Sequence, residues 1–161
     1  GNTPQALLSA ALFLLNAYRL WGWYTHGIWK KPLVWVLHVA YGFLTAGFLL
    51  TLLSSLAGIS PYLAIHAFAY GGIGMMTLGM MSRVTLGHTG RNVFEPPPVL
   101  FTVFAVLLAG GVFRVVLPLL DPGRYVLWIG ISQGLWIVAF SIFLTLCLPM
   151  LARPRADGQP G

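Results

Sequence analysis

Histidine and arginine inside apolar stretches are the residues with chemistry to offer. His38, His66 and Arg114 each stand within a long hydrophobic run. Ionisable groups in hydrocarbon are costly and rare, so function is the first reading wherever they occur. No Asp or Glu joins them, because Glu95 and Asp121 fall at loop positions, which argues against a carboxylate proton relay or a sodium site. Neutral imidazole is the commonest metal ligand and a usual axial ligand of haem iron. Arg114 brings a two-pronged donor suited to a carboxylate such as a haem propionate. The alternatives are structural: a histidine bonded across helices to a hydroxyl or carbonyl, and an arginine that snorkels to the outer surface or to Asp121.

Position along the helix separates the two histidines. His38 follows Pro32 by six residues, roughly 9 Å of helical rise from the inner end of its run. His66 follows Pro61 by five residues, roughly 8 Å, starting from the outer end. In a hydrocarbon core about 30 Å thick they are then roughly 13 Å apart along the normal, too far to sandwich one iron. Either they serve two sites or one is structural. Arg114, seven residues before Asp121, lies at the depth of His66. Tyr41, Gly42 and Thr45 share the face of His38 and make a polar strip with room for something to approach. Turned through about 100° per residue, the third apolar run sets His66, Tyr70, Thr77 and Met80 on one face and Phe68, Gly72, Met75 and Gly79 nearly opposite. Glycines spaced by seven let another backbone come close. This helix is therefore expected at the centre of a bundle, bearing the cofactor, with Tyr70 among the cofactor-binding residues.

Met75, Met76, Met80 and Met81 invite a copper reading, because thioethers suit Cu(I). Packing is the plainer account, since methionine fills irregular gaps beside glycine-rich helices. The segment from Ser82 to Arg91 ends the third run, with Gly87 placed for a left-handed cap. Arg83, His88 and Arg91 are concentrated there, and such a loop can grip an anionic ligand or cap a buried cofactor. His26, between Trp-rich and Lys-rich stretches, reads as plain surface.

The elements that must hold these residues are membrane helices. The 161 residues are 58% hydrophobic and only 7% charged, a balance that belongs to a membrane protein. Five segments approach or meet the length of about 20 apolar residues that a span needs: 4–20, 32–57, 61–82, 98–120 and 125–151. Proline near four of these starts fits a first helical turn. With no period-two alternation, the fold class is all-α, a polytopic transmembrane bundle of five spans. Cys147 is the only cysteine, so no intrachain disulfide or multi-cysteine metal site can form.

Nine Lys and Arg against three acidic residues might suggest nucleic acid, but the basic residues sit in short segments between apolar runs. Arg19, Lys30, Lys31, Arg83, Arg91, Arg153 and Arg155 fall at one set of ends, and only Arg124 at the other. The positive-inside rule then puts the N-terminus outside and the C-terminus, with a polar tail over 153–161 expected to fray, in the cytoplasm. No nucleic-acid partner is called for; the partner is the lipid bilayer. Trp21, Trp23, Tyr24 and Trp29 read as an interfacial belt rather than a binding platform. A first residue other than methionine and an outward N-terminus without its own signal are expected of the C-terminal part of a larger protein.

The string Met80-Met81-Ser82-Arg83-Val84-Thr85-Leu86-Gly87-His88-Thr89-Gly90-Arg91 resembles the signature of the NnrS family. The blocks from Pro32 to His38 and from His66 to Thr77 resemble that family's two preceding blocks, in the same order and spacing. The resemblance implies a bacterial inner-membrane protein of about a dozen helices that contains haem and copper and is linked to nitric oxide metabolism and nitrosative stress. It carries the family's histidine and arginine motif positions onto His38, His66, Arg83, His88 and Arg91, without saying which binds which metal. Family members are more than twice this length, so further N-terminal helices are expected from the same protein or another chain. Tyr70 and Gly72 depart from the small or β-branched residues expected in the second block.

The functional expectation is therefore a haem-binding or haem- and copper-binding membrane protein that responds to nitric oxide. His38 and His66 would be metal ligands, His88 a further one, and Arg83, Arg91 and Arg114 partners of propionates. The rival is a transport or structural bundle whose histidines bond across helices and hold no metal. Catalysis stays open.

Overall fold

The computed structural model describes residues 3–158, so residues 159–161 of the expected tail lie outside the described part. Five long helices run up and down: α1 (Thr3–Gly22), α2 (Pro32–Ala57), α3 (Pro61–His88), α4 (Val99–Leu120) and α5 (Tyr125–Leu151). The described residues contain no strand. Short 3-10 turns at His26–Lys30 and Pro122–Arg124 lead into α2 and α5. Pro32 and Pro61 occupy the first turns of α2 and α3, where no N–H is needed. Helices α2 to α5 are long and apolar enough to cross a membrane. Helix α1 has a span's length but carries Asn16 and Arg19, and it lies antiparallel along α2.

The largest shift from the expected boundaries is at α3, which runs on past Ser82 to His88. The left-handed residue that ends it is Gly90, with φ of 70°, not Gly87, which is helical. The Arg91 N–H donates to the Leu86 carbonyl at 2.8 Å and the Gly90 N–H to the Gly87 carbonyl at 3.2 Å. That pair of bonds is a Schellman cap and satisfies carbonyls the helix end would orphan. The chain after α5 turns back onto this cap: the Ala156 N–H donates to the Thr89 carbonyl at 3.0 Å, and Arg155 pairs with Asp157 at 2.6 Å. Over the described residues, the tail expected to fray is docked.

Helix α3 is the most enclosed span. Of its most apolar stretch 56% is buried, against 39% for α2 and for α4 and 22% for α5. Burial from water does not drive helices together in lipid; close packing does. The contact on α2 is made by small residues, yet the intruders are side chains rather than a neighbouring backbone. A Cβ at Gly79 would meet Val36 Cγ1 at 2.8 Å, and one at Gly47 would meet the Phe68 ring at 2.6 Å. The core below them joins Trp35, Val36, Met75, Leu78, Phe104, Leu107, Ala139, Phe143 and Cys147.

Two stretches depart from α-helical geometry. Ala67–Gly74 in α3 and Val112–Val116 in α4 are π-helical, with wider turns. The second has a local cause: Pro118 has no N–H to give the Arg114 carbonyl four residues back, and its ring would clash there. The first contains Gly71, Gly72 and Gly74, all buried against neighbouring side chains.

Candidate cofactor sites

The π segment of α3 and that of α4 flank one cavity of about 400 Å³, lined by His66, Tyr70, Arg114, Gln133, Trp136 and Ile137 with Ala69. Such insertions into α-helices occur often at functional sites. His66 Nε2 and the Tyr125 hydroxyl are hydrogen-bonded at 3.0 Å, so the start of α5 sets the ring's orientation. The Tyr70 hydroxyl donates to the Ser132 carbonyl at 3.1 Å, and its ring meets Trp136 edge-on at 4.8 Å. Trp136 in turn stacks on Phe140 at 4.6 Å. Gly74 makes room for this indole, since a Cβ there would lie 2.6 Å from Trp136.

Arg114 is the unusual member. Its Nε is buried and has no hydrogen-bond partner among the described residues. Asp121, the nearest acid in sequence, is instead beside Arg124 at 3.7 Å. The residue as a whole is half-buried, and a guanidinium partly withdrawn from water without a counter-charge is costly. The cavity it lines is therefore suited to an anionic group. His66 and Arg114, read as one depth from the sequence, and Tyr70, read on the face of His66, are brought together here.

His38 lies elsewhere. With Trp23, Thr25, Ile28, Val34, Leu37, Tyr41, Met76, Met80 and Arg83 it lines a second cavity, of about 600 Å³, toward the end of the bundle where the basic residues gather. The two histidines thus line two separate cavities, apart along the bundle as their depths implied. The polar strip around His38 is broken up. Tyr41 donates its proton to the Asn16 side chain, Thr45 is buried and bonds back to the Tyr41 carbonyl, and Gly42 faces Leu20. The aromatic belt is also more than a belt. Tyr24 and Trp29 lie 6.0 Å and 6.5 Å from the His38 ring, and Trp23, under the Arg19 guanidinium at 5.0 Å, forms part of the cavity wall. Only the clustering of Trp23, Tyr24 and Trp29 within a few residues of a histidine-bearing helix hinted at this.

Arg91 and His88 join neither cavity. His88 is exposed in the last turn of α3, and the Arg91 side chain donates to the Thr89 carbonyl at 3.4 Å. The methionines divide: Met75 is fully buried core, while Met76 and Met80 line the second cavity. Among the described residues no three His, Cys, Asp or Glu side chains come together. One imidazole beside each cavity is a ligand count that haem tolerates, because the macrocycle supplies the rest and protein adds axial ligands.

A bundle of helices of which four are long and apolar enough to cross a membrane defines a polytopic membrane protein. A family model described as NnrS protein matches residues 2–155, and the chain belongs to that family. Neither the curated proteins nor the solved structures compared with it gave a match.

Proposed function

We propose that this chain is a haem- and copper-binding protein of a bacterial inner membrane, acting in nitric oxide metabolism or in the response to nitrosative stress. The observation that supports it most is the orphaned Arg114 Nε in the cavity beside His66. His66 would hold haem iron through Nδ1, the nitrogen its bond to Tyr125 leaves free, Arg114 would pair with a propionate, and Tyr70 and Trp136 would form the apolar wall. Bound haem supplies a metal centre that takes diatomic ligands. The chain's own residues position it: Tyr125 orients His66, and the glycines of the α3 π segment let Trp136 close the wall. The reading places further helices, of the same protein or of a second chain, against this cavity. The basic end of the bundle faces the cytoplasm in this reading.

The rival, a bundle without metal, has the bond between His66 and Tyr125 in its favour, since interhelical bonds of that kind are structural glue. Protein purified in detergent from cells supplied with haem and copper separates the two by its absorbance spectrum and metal content. A Soret band altered by His66→Ala supports haem. A preparation with neither haem nor copper, or a Soret band indifferent to His66→Ala, removes the proposed site.

A further inference from the structure

We infer that the second cavity is a binding site for a lipid-soluble quinone. The inference concerns His38 and its neighbours and does not rest on the haem reading. Three polar side chains on the wall, the His38 imidazole, the Thr25 hydroxyl and the Arg83 guanidinium, have no hydrogen-bond partner among the described residues. Each can donate. The fourth, Tyr41, has its proton engaged by Asn16. Thr25 and Arg83 are exposed and His38 is half-buried, so a ligand that answers all three offers acceptor oxygens at more than one point. The rest of the wall is apolar and either flat or pliable, with Trp23, Ile28, Leu37, Met76 and Met80. Methionine adapts to irregular and planar groups alike. At about 600 Å³ the cavity has the size of an ordinary small-molecule site.

Trp23, Val34 and Met80 on its wall are 53%, 41% and 44% exposed, so in a bilayer a ligand would enter past them from the lipid. A quinone ring meets each requirement: it is flat and uncharged, carries carbonyl oxygens on opposite edges, and trails a chain that stays in lipid. A phospholipid headgroup meets fewer. Among the described residues, Arg83 is the only Lys or Arg lining this cavity, and the nearby Lys31 ammonium donates to the Phe94 carbonyl at 3.3 Å. A Cu(I) ion on His38, Met76 and Met80 would leave Thr25 unanswered and add positive charge beside Arg83. The rings of Tyr24 and Trp29 hold the imidazole at the wall.

The test is a titration of the chain purified in detergent with a short-chain ubiquinone and with menadione, followed by quenching of tryptophan emission. Saturable quenching is expected, weakened about tenfold by His38→Leu and by Arg83→Gln, the loss of roughly one hydrogen bond each. His38→Gln keeps a donor and should recover most of the binding, while Val126→Ala, on the exposed face of α5, should not alter it. The Soret band of the same samples is recorded. Its retention in His38→Leu separates loss of quinone from loss of haem. If His38→Leu does not fold, a photoreactive quinone on the wild-type chain decides, with crosslinks expected at residues 23–41 and 76–83. Absent saturation, binding unaffected by both substitutions, crosslinks elsewhere, or copper in place of quinone that leaves with His38 would each overturn the inference.

Discussion

Arg114 carries a charge that the described acidic side chains leave unanswered, and the clearest predictions belong to it and to its neighbour His66. Replacing Arg114 by Gln removes the charge and should weaken haem retention about tenfold, as read by the Soret band remaining after gel filtration. Lysine should rescue little, because an ammonium lacks the two-pronged geometry. His66→Ala and Tyr125→Phe break the same hydrogen bond, 3.0 Å long, from its two sides. If His66 holds iron, only His66→Ala changes the spectrum, while Tyr125→Phe costs about 1 kcal/mol of stability and leaves the Soret band in place. Equal effects on stability and none on the spectrum would mark the pair as interhelical glue. The ionisable residues of this site were legible in the sequence because a charge in an apolar run stands out. Gln133, Trp136 and Tyr125 were not, since each is ordinary in a span until its neighbours are known.

At the scale of the element, the spans and the central place of α3 could be read from hydropathy and glycine spacing, but the face of each residue could not. Constant rotation per residue holds for an α-helix, and α3 changes its winding over Ala67–Gly74. His66 and Tyr70 consequently line one cavity while Met80, assigned to their face by simple rotation, lines another. Nothing local in the sequence announces that widening, whereas Pro118 does announce the one around Arg114. The glycines of α3 make a graded test. Gly87 is helical with nothing within 4 Å of a new Cβ, so Gly87→Ala should stabilise by up to about 1 kcal/mol. Gly90→Ala meets Asp157 at 2.5 Å with a φ of +70° and should lower the melting temperature. Gly74→Val, against Trp136, should cost about 1–3 kcal/mol and loosen the cavity wall as well. Thermal melts in detergent rank the three, and a Gly87→Ala protein as unstable as Gly90→Ala would contradict the cap.

Across the whole molecule, the two cavities sit toward opposite ends of the bundle, His66 and Arg114 at one and His38 with Arg83 at the other. Counting residues from Pro32 and Pro61 was enough to separate them, because helical rise is regular even where winding is not. The loops that cover His38 were the harder part: Trp23, Tyr24 and Trp29 have the composition of a membrane interface whether or not they also enclose a site. The orientation proposed from the basic residues is open to labelling. In a Cys147→Ser background, a cysteine replacing Arg153 should react with an impermeant maleimide only from the cytoplasmic side, and one replacing Gly123 only from outside. The reverse pattern would invert the bundle and place the His38 cavity in the outer leaflet.

Cys147 itself has a use that follows from its position. The only thiol of the chain is 3% exposed in the core, on the face of α5 turned toward α3. A small thiol reagent can reach it only while those helices are apart. Under slow opening and rapid reclosing, the labelling rate is the free-thiol rate multiplied by the open fraction. The native protein thus contains its own clock for breathing of the bundle, and slower labelling when a ligand is bound would measure how far that ligand holds α3 and α5 together.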